Sequence, residues 1–225
     1  MILMPPNRAN DQESFTTFEM FAVGEELALL NLAFLVATYA FLGGAIKYID
    51  QVYDEDMGSI TMAKILAVLS GLLMGASMII DGGFSTAFFM AMLISLVLTK
   101  KIDNWSFLTG TMVALATFIV GALIWGAELL PIPIVIFLIA GAIDEIADSF
   151  AHRRGLGQVA EYILHYRPFS DLALVLLIVI MPFDWHYLAP YFAFTLCYLF
   201  MGGLEDGQMA ESFKGILRRA SQLRP

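Results

Sequence analysis

An acidic hexapeptide of the form I-D-[Q/E]-[V/I]-x-D occurs twice in the chain, at residues 49–54 and 143–148. Its two aspartates are four residues apart: Asp50 and Asp54 in the first copy, Asp144 and Asp148 in the second. In a helix, side chains at this spacing lie on the same face, one turn apart. Carboxylates at the edge of a bilayer are costly unless they bind a cation, a basic side chain or water. The four aspartates are therefore the first candidates for a functional site.

Each acidic motif follows an apolar segment long enough to cross a membrane. The chain has 225 residues, of which 59% are hydrophobic and 15% are charged, and its mean hydropathy is +0.77. Such values are rare in soluble domains, and apolar stretches of about 20 residues indicate transmembrane helices. We predict an all-α, polytopic membrane bundle of about seven transmembrane helices. The predicted spans are residues 27–46, 62–80, 84–99, 105–125, 131–150, 172–182 and 187–204.

The basic residues predict how these spans are oriented. With seven spans, every Lys and Arg except Arg8 falls on the side of the C-terminus, which the positive-inside rule assigns to the cytoplasm. We therefore predict a multi-pass protein of the cell membrane with its N-terminus outside. Residues 1–26 would form an acidic pre-membrane segment, 27–204 the transmembrane domain and 205–225 a cytoplasmic tail. Both acidic motifs then lie at cytoplasmic helix ends.

The charges around the motifs favour a bound ligand or partner, although each also has a simpler explanation. A helix C-terminus carries partial negative charge, so an aspartate there needs compensation by a metal, by basic side chains or by a continuing helix. Arg153, Arg154 and Lys101 lie on the same predicted side and could bind phosphate oxygens. The positive-inside rule alone also explains these basic residues. Asp54 could equally belong to a solvated loop.

Other sequence features narrow the class of protein. The chain has no P-loop, nucleophile elbow, H-E-x-x-H motif or Cys/His pair, so hydrolase chemistry of those types has no residues to carry it. The net charge of −9 argues against nucleic acid as a partner. Gly71-x-x-x-Gly75 is a small-residue pattern that predicts close helix contact rather than catalysis.

The two motifs and their predicted positions resemble those of the UbiA superfamily of intramembrane prenyltransferases, which carry two Asp-rich motifs at cytoplasmic helix ends. Asp144 and Asp148 are similar to the second family motif, and residues 48–56 look like a degraded form of the first. The first copy lacks the family's Asn-Asp opening and spaces Asp50 and Asp54 by four rather than three. The resemblance implies that Asp50, Asp54, Asp144 and Asp148 hold Mg²⁺, which binds the diphosphate of a polyprenyl donor.

The resemblance leads us to predict an integral membrane transferase that acts on an isoprenoid or lipid diphosphate, with Mg²⁺ as cofactor. Asp50 and Asp144 would be the catalytic residues, and Arg153, Arg154 and Lys101 would neutralise the charge of the substrate. Two alternatives stay open. One is a cation- or proton-coupled transporter, although no acid lies at the middle of a predicted span, where a coupling site usually lies. The other is a non-catalytic membrane subunit whose charged inner loops dock a protein partner.

Overall fold

The computed structural model describes residues 8–54, 56, 58–98, 104–154, 168–180 and 183–205, without the side chains of 8–27, 145, 148, 149, 151–154 and 203–205. These residues form seven α-helices and one short 3-10 helix. In chain order they are α1 (Arg8–Asp54), α2 (Ile60–Ile80), α3 (Gly83–Leu98), α4 (Trp105–Trp125), α5 (Pro131–Arg154), α6 (Pro168–Ile180), the 3-10 helix Trp185–Tyr187 and α7 (Leu188–Glu205). The predicted all-α fold is confirmed for this part of the chain.

Several helix ends follow local sequence signals. α2 and α4 begin directly after Ser59 and Asn104, whose side-chain oxygens accept the amides of Met62 at 3.4 Å and Phe107 at 2.9 Å. Such N-cap side chains satisfy amides that have no partner within the helix. α4 ends at Gly126, whose φ of +84° suits glycine better than any other residue.

Three helical segments are long and apolar enough to cross a membrane: Ala28–Asp54 within α1, Ile60–Ile80 and Trp105–Trp125. Shorter apolar segments occupy Gly83–Leu98, Pro131–Asp144 and Pro168–Ile180. The predicted spans follow the same order along the chain as these helices. α1 also runs back to Arg8 without a break at the predicted boundary between residues 26 and 27.

Small residues bring α2 and α4 into close contact. A Cβ atom added at Gly71 would lie 2.6 Å from the carbonyl oxygen of Gly110, and one added at Gly75 would lie 2.6 Å from that of Ala114. Both distances are too short for a carbon and an oxygen, so only glycine fits without movement of the helices. The close contact predicted for Gly71 and Gly75 is confirmed.

A second close contact joins α1 to α7. A Cβ atom at Gly43 would collide with the carbonyl oxygen of Phe194. Towards the end of α1, the Gln51 side chain donates a hydrogen bond from Nε2 to the Met201 carbonyl oxygen at 3.1 Å. α1 therefore contacts α7 at two positions. The backbones lie close together at Gly43, and a side-chain hydrogen bond joins the helices at Gln51.

Aromatic side chains fill the space between α1, α3, α5 and α7. Phe88 lies at the centre of this group, with its ring centroid 5.7 Å from Tyr39, 5.6 Å from Phe137 and 5.6 Å from Tyr191. Phe84 stacks on Tyr187 at 4.3 Å. Aromatic pairs at these distances add to the stability gained from burial alone. This core positions α5, α6 and α7. The acids on α5 and α6 are described below.

Candidate functional site

The first acidic motif lies at the end of α1. The Asp50 carboxylate is 3.8 Å from the Lys47 ammonium, one turn earlier on the same helix. Asp54 is the last residue of α1 and is exposed. Between them, the Tyr53 hydroxyl forms a 2.9 Å hydrogen bond with Ser106 Oγ at the start of α4. The helix end that carries the first motif is thus fixed to α4, with Asp54 in contact with solvent.

Asp144 of the second motif is held very differently, because its side chain is only 1% exposed. Its Oδ1 accepts the Phe169 amide at 2.9 Å. Its Oδ2 accepts the Ser170 amide at 2.8 Å and the Ser170 hydroxyl at 2.6 Å. Phe169 and Ser170 follow Pro168 in the first turn of α6, where amides have no carbonyl partner in their own helix. Asp144 therefore caps α6 from α5, and its charge is offset by the positive end of the α6 dipole.

This contact lies where the apolar segment of α5, Pro131–Asp144, ends. Asp144 comes 13 residues after Pro131, about 20 Å along α5, and α5 continues to Arg154. Because the amides of Phe169 and Ser170 bind Asp144, α6 begins at this depth. Asp144 thus lies at the end of an apolar segment and beside the start of another helix.

A second aspartate, Asp171, lies one residue beyond Ser170 on α6. Its carboxylate accepts a hydrogen bond from the Tyr191 hydroxyl of α7 and is close enough to Asp144 to interact with it electrostatically. Asp171 Oδ1 is buried, and no atom of the described residues forms a hydrogen bond with it. The sequence did not select Asp171 as a site residue, since it borders the predicted sixth span and has no partner at motif spacing. The signal in the sequence that could have identified Asp171 was its position, as an ionisable residue, at the border of a short predicted span.

A separate polar network lies at the turn between α2 and α3. Asp81 accepts the Ser85 amide at 3.0 Å through Oδ2 and the Tyr187 hydroxyl at 2.9 Å through Oδ1. Ser85 Oγ is in turn 2.7 Å from the hydroxyl of the buried Tyr39. Partial burial, with the nearby negative charge of Asp81, raises the pKa of Tyr187, so its hydroxyl stays protonated and donates. The network anchors the start of α3 to α1 and to the 3-10 helix.

The predicted metal ligands fit Mg²⁺ unequally. Among the described residues, no group of three or more His, Cys, Asp or Glu side chains is placed to hold a metal ion. Asp144 does not fit as a direct ligand, because three donors already use most of its roughly four lone-pair positions and it is almost fully buried. Asp50 and Asp54 remain on one face of α1 and are not excluded in this way.

The other predicted site residues lie outside the described side chains. Asp148, Arg153 and Arg154 belong to the last part of α5, of which only the backbone is described, and Lys101 is outside the described residues. A magnesium site on Asp50, Asp54 and Asp148 and the phosphate-binding role of the basic residues therefore stay predictions.

An apolar groove of about 760 Å³ runs between α2 and α4. Ala76, where it begins, lies 16 residues after Ile60, so it is about 24 Å along α2 from the helix end near the first motif. It is lined by Ala76, Ile79, Ile80, Ala116, Thr117, Val120, Gly121, Ile124 and Trp125. A volume of this size suits a lipid-like ligand, since ligand pockets measure about 300–1,000 Å³.

The fold defines an all-α protein with three helical segments long and apolar enough to cross a membrane. Comparison of the chain with protein-family models, curated proteins and solved structures finds no match.

Proposed function

We propose that the chain is a multi-pass protein of the cell membrane, with seven membrane-embedded helices, its N-terminus outside and its C-terminus in the cytoplasm. Three membrane-length segments and three shorter apolar segments support this proposal. Large apolar side chains also point away from the bundle, such as Leu123, which is 82% exposed, and Val179, which is 77% exposed. Lipid would cover these side chains. The orientation follows from the one-sided distribution of Lys and Arg.

Within this framework we propose that the protein moves protons or a small cation across the membrane. The observation that carries the proposal is the pair of aspartates beside the start of α6, one of which, Asp171, has a buried oxygen without a hydrogen-bond partner among the described residues. Ionisable residues inside a membrane bundle are costly and usually serve ion or proton pathways. Transporters also place ion sites where a helix begins or breaks inside the membrane. In this proposal the pair serves as the acid that a transport path needs within the bundle.

The two aspartates take different roles in this proposal. Asp144 already accepts three hydrogen bonds from α6, so it acts as a positioning residue. Within the described residues, Asp171 has one donor, Tyr191, and one buried oxygen without a partner, so we assign it as the group that binds and releases the ion. A proton bound at Oδ1 would neutralise Asp171. Two carboxylates in different surroundings can serve different roles in one site.

Proteoliposomes test the proposal. The purified protein is reconstituted with a pH-sensitive dye inside, and a pH gradient is applied with potassium and valinomycin to balance charge. Proton flux above that of empty liposomes would support proton transport, and flux only after adding Na⁺ would identify a coupled cation. No flux of H⁺, Na⁺ or K⁺ by reconstituted, folded protein would contradict the proposal.

The apolar groove favours a second candidate, the Mg²⁺-dependent transferase acting on an isoprenoid or lipid diphosphate. The groove would hold part of the lipid chain, while Asp50, Asp54 and Asp148 would hold the metal and Arg153, Arg154 and Lys101 would bind phosphate oxygens. Mg²⁺ would shield the charge of the leaving diphosphate. Asp144 takes no part in this version, because it does not fit as a ligand.

Thermal melting separates the two candidates. If the transferase is correct, Mg²⁺ together with geranylgeranyl diphosphate raises the melting temperature, and Asp50→Asn removes that increase. An increase that is equal in wild type and Asp50→Asn would rule out the first motif as the metal site. Proton flux, without any change in melting temperature on adding Mg²⁺ and geranylgeranyl diphosphate, would leave transport as the function.

A further inference from the structure

A small, partly open cavity lies between α1, α2, α3 and α4, beside the first acidic motif. Its volume is about 30 Å³, and Ile46 and Ile49 of α1 line one side of it. A water molecule needs a cavity of roughly 10–15 Å³ by this measure. The cavity is therefore large enough for water and too small for a lipid or a diphosphate.

Three hydroxyl side chains line the cavity: Ser70 of α2, and Ser106 and Thr111 of α4. Ser70 is 4% exposed, and its Oγ has no hydrogen-bond partner among the described residues. Leaving a buried hydroxyl unpaired destabilises a folded protein, because the hydroxyl loses its hydrogen bonds to water. Ser106 already bonds the Tyr53 hydroxyl at 2.9 Å and can accept another hydrogen bond. The cavity thus offers one unpaired hydroxyl and two further polar partners.

We infer that this cavity binds one water molecule, held by Ser70 and bridging α2 to the hydroxyls of α4. A buried water typically makes two to four hydrogen bonds, roughly the number that Ser70, Ser106 and Thr111 provide. Through the Ser106–Tyr53 bond the water connects to the end of α1 that carries Asp50 and Asp54. This site is separate from the Asp144–Asp171 pair and does not depend on the proposed transport.

Ser77 is a matched control on the same helix. It lies two turns after Ser70, is 0% exposed, and its Oγ also has no partner among the described residues. It does not line the cavity. Replacing either serine by alanine removes one buried, unpaired hydroxyl, but only Ser70→Ala would also remove a ligand of bound water.

Radiolytic hydroxyl labelling with mass spectrometry tests the water directly. Radicals formed from a bound water oxidise the nearest susceptible side chains even when bulk solvent does not reach them. Met74, which is 5% exposed, lines the cavity, whereas Met78, one turn further and 0% exposed, does not. We expect several-fold faster oxidation of Met74 than of Met78 in wild type and in Ser77→Ala, with the difference lost in Ser70→Ala. Equal rates in wild type, or an unchanged difference in Ser70→Ala, would overturn the inference.

Melting temperatures provide an independent readout. Ser70→Ala should lower the melting temperature, because the water loses a partner, whereas Ser77→Ala should leave it unchanged or raise it. A Ser70→Ala protein that melts at or above the wild-type temperature would show that the cavity is dry.

Discussion

Asp144 and Asp171 are neighbouring aspartates near the start of α6, but their surroundings differ at the level of single atoms. Both oxygens of Asp144 accept amide hydrogen bonds, and Ser170 Oγ donates a third. Asp171 has one hydroxyl donor and one unpartnered oxygen. The first carboxylate thus contributes to stability, and the second is available for chemistry.

Asp144→Ala should destabilise the protein by about 3 kcal/mol, because it leaves two partly buried amides and a hydroxyl without an acceptor. Chemical unfolding in detergent measures the loss. Asp184, whose side chain is 76% exposed, provides the control, and Asp184→Ala should change stability by less than about 0.5 kcal/mol. Equal effects of the two substitutions would contradict the capping role.

Tyr187 makes a second residue-scale prediction, concerning alkaline pH. Its pKa is raised in the folded protein by partial burial and by Asp81, so above pH about 10 the unfolded chain loses its proton first. The stability that this tyrosine contributes is present below that pH and is lost as pH rises above it. The melting temperature of wild type should therefore fall more steeply above pH about 10 than that of Tyr187→Phe. Parallel curves for the two proteins would contradict this assignment.

Among the helices, the contact between α2 and α4 depends most clearly on the size of the residues in it. A Cβ atom at Gly75 would approach the Ala114 carbonyl oxygen to 2.6 Å, whereas one at Gly141 in α5 would meet nothing within 4 Å. Gly75→Ala should destabilise the protein by about 2 kcal/mol through overpacking, and Gly141→Ala should be neutral or stabilising by up to about 1 kcal/mol. Differential scanning fluorimetry of both variants checks the contrast, and a tolerated Gly75→Ala would show that the helices can separate without loss.

How far the sequence predicts this molecule also differs between elements. Apolar length predicts α2 and α4, because this signal is local to each helix. The start of α6 is different, since its capping residue, Asp144, is 25 residues before Phe169 and on another helix. Because this capping residue comes from a distant part of the chain, no local residue spacing in the sequence reveals it. For the same reason the motif suggested a metal ligand where the structure has a helix cap, and Asp171 was missed.

For the whole molecule, the proposed orientation makes the two ends of the bundle accessible from opposite sides of the membrane. After Cys197 is replaced by serine, a single cysteine at Ser59 or at Asp184 can be labelled with a membrane-impermeant maleimide in intact cells. The positive-inside rule predicts labelling at position 184 from outside and at position 59 only after permeabilisation. The reverse result would invert the topology, and labelling at both positions in intact cells would exclude it.

The central claim is that Asp171 exchanges an ion inside the bundle. Proton flux should therefore be measured in proteoliposomes containing wild type, Asp171→Asn or Asp184→Asn, each with its melting temperature recorded to show that it is folded. Asparagine keeps the size of the side chain but cannot bind and release a proton at this position. We expect flux in wild type and Asp184→Asn and none in Asp171→Asn. Wild-type flux from folded Asp171→Asn would contradict the account.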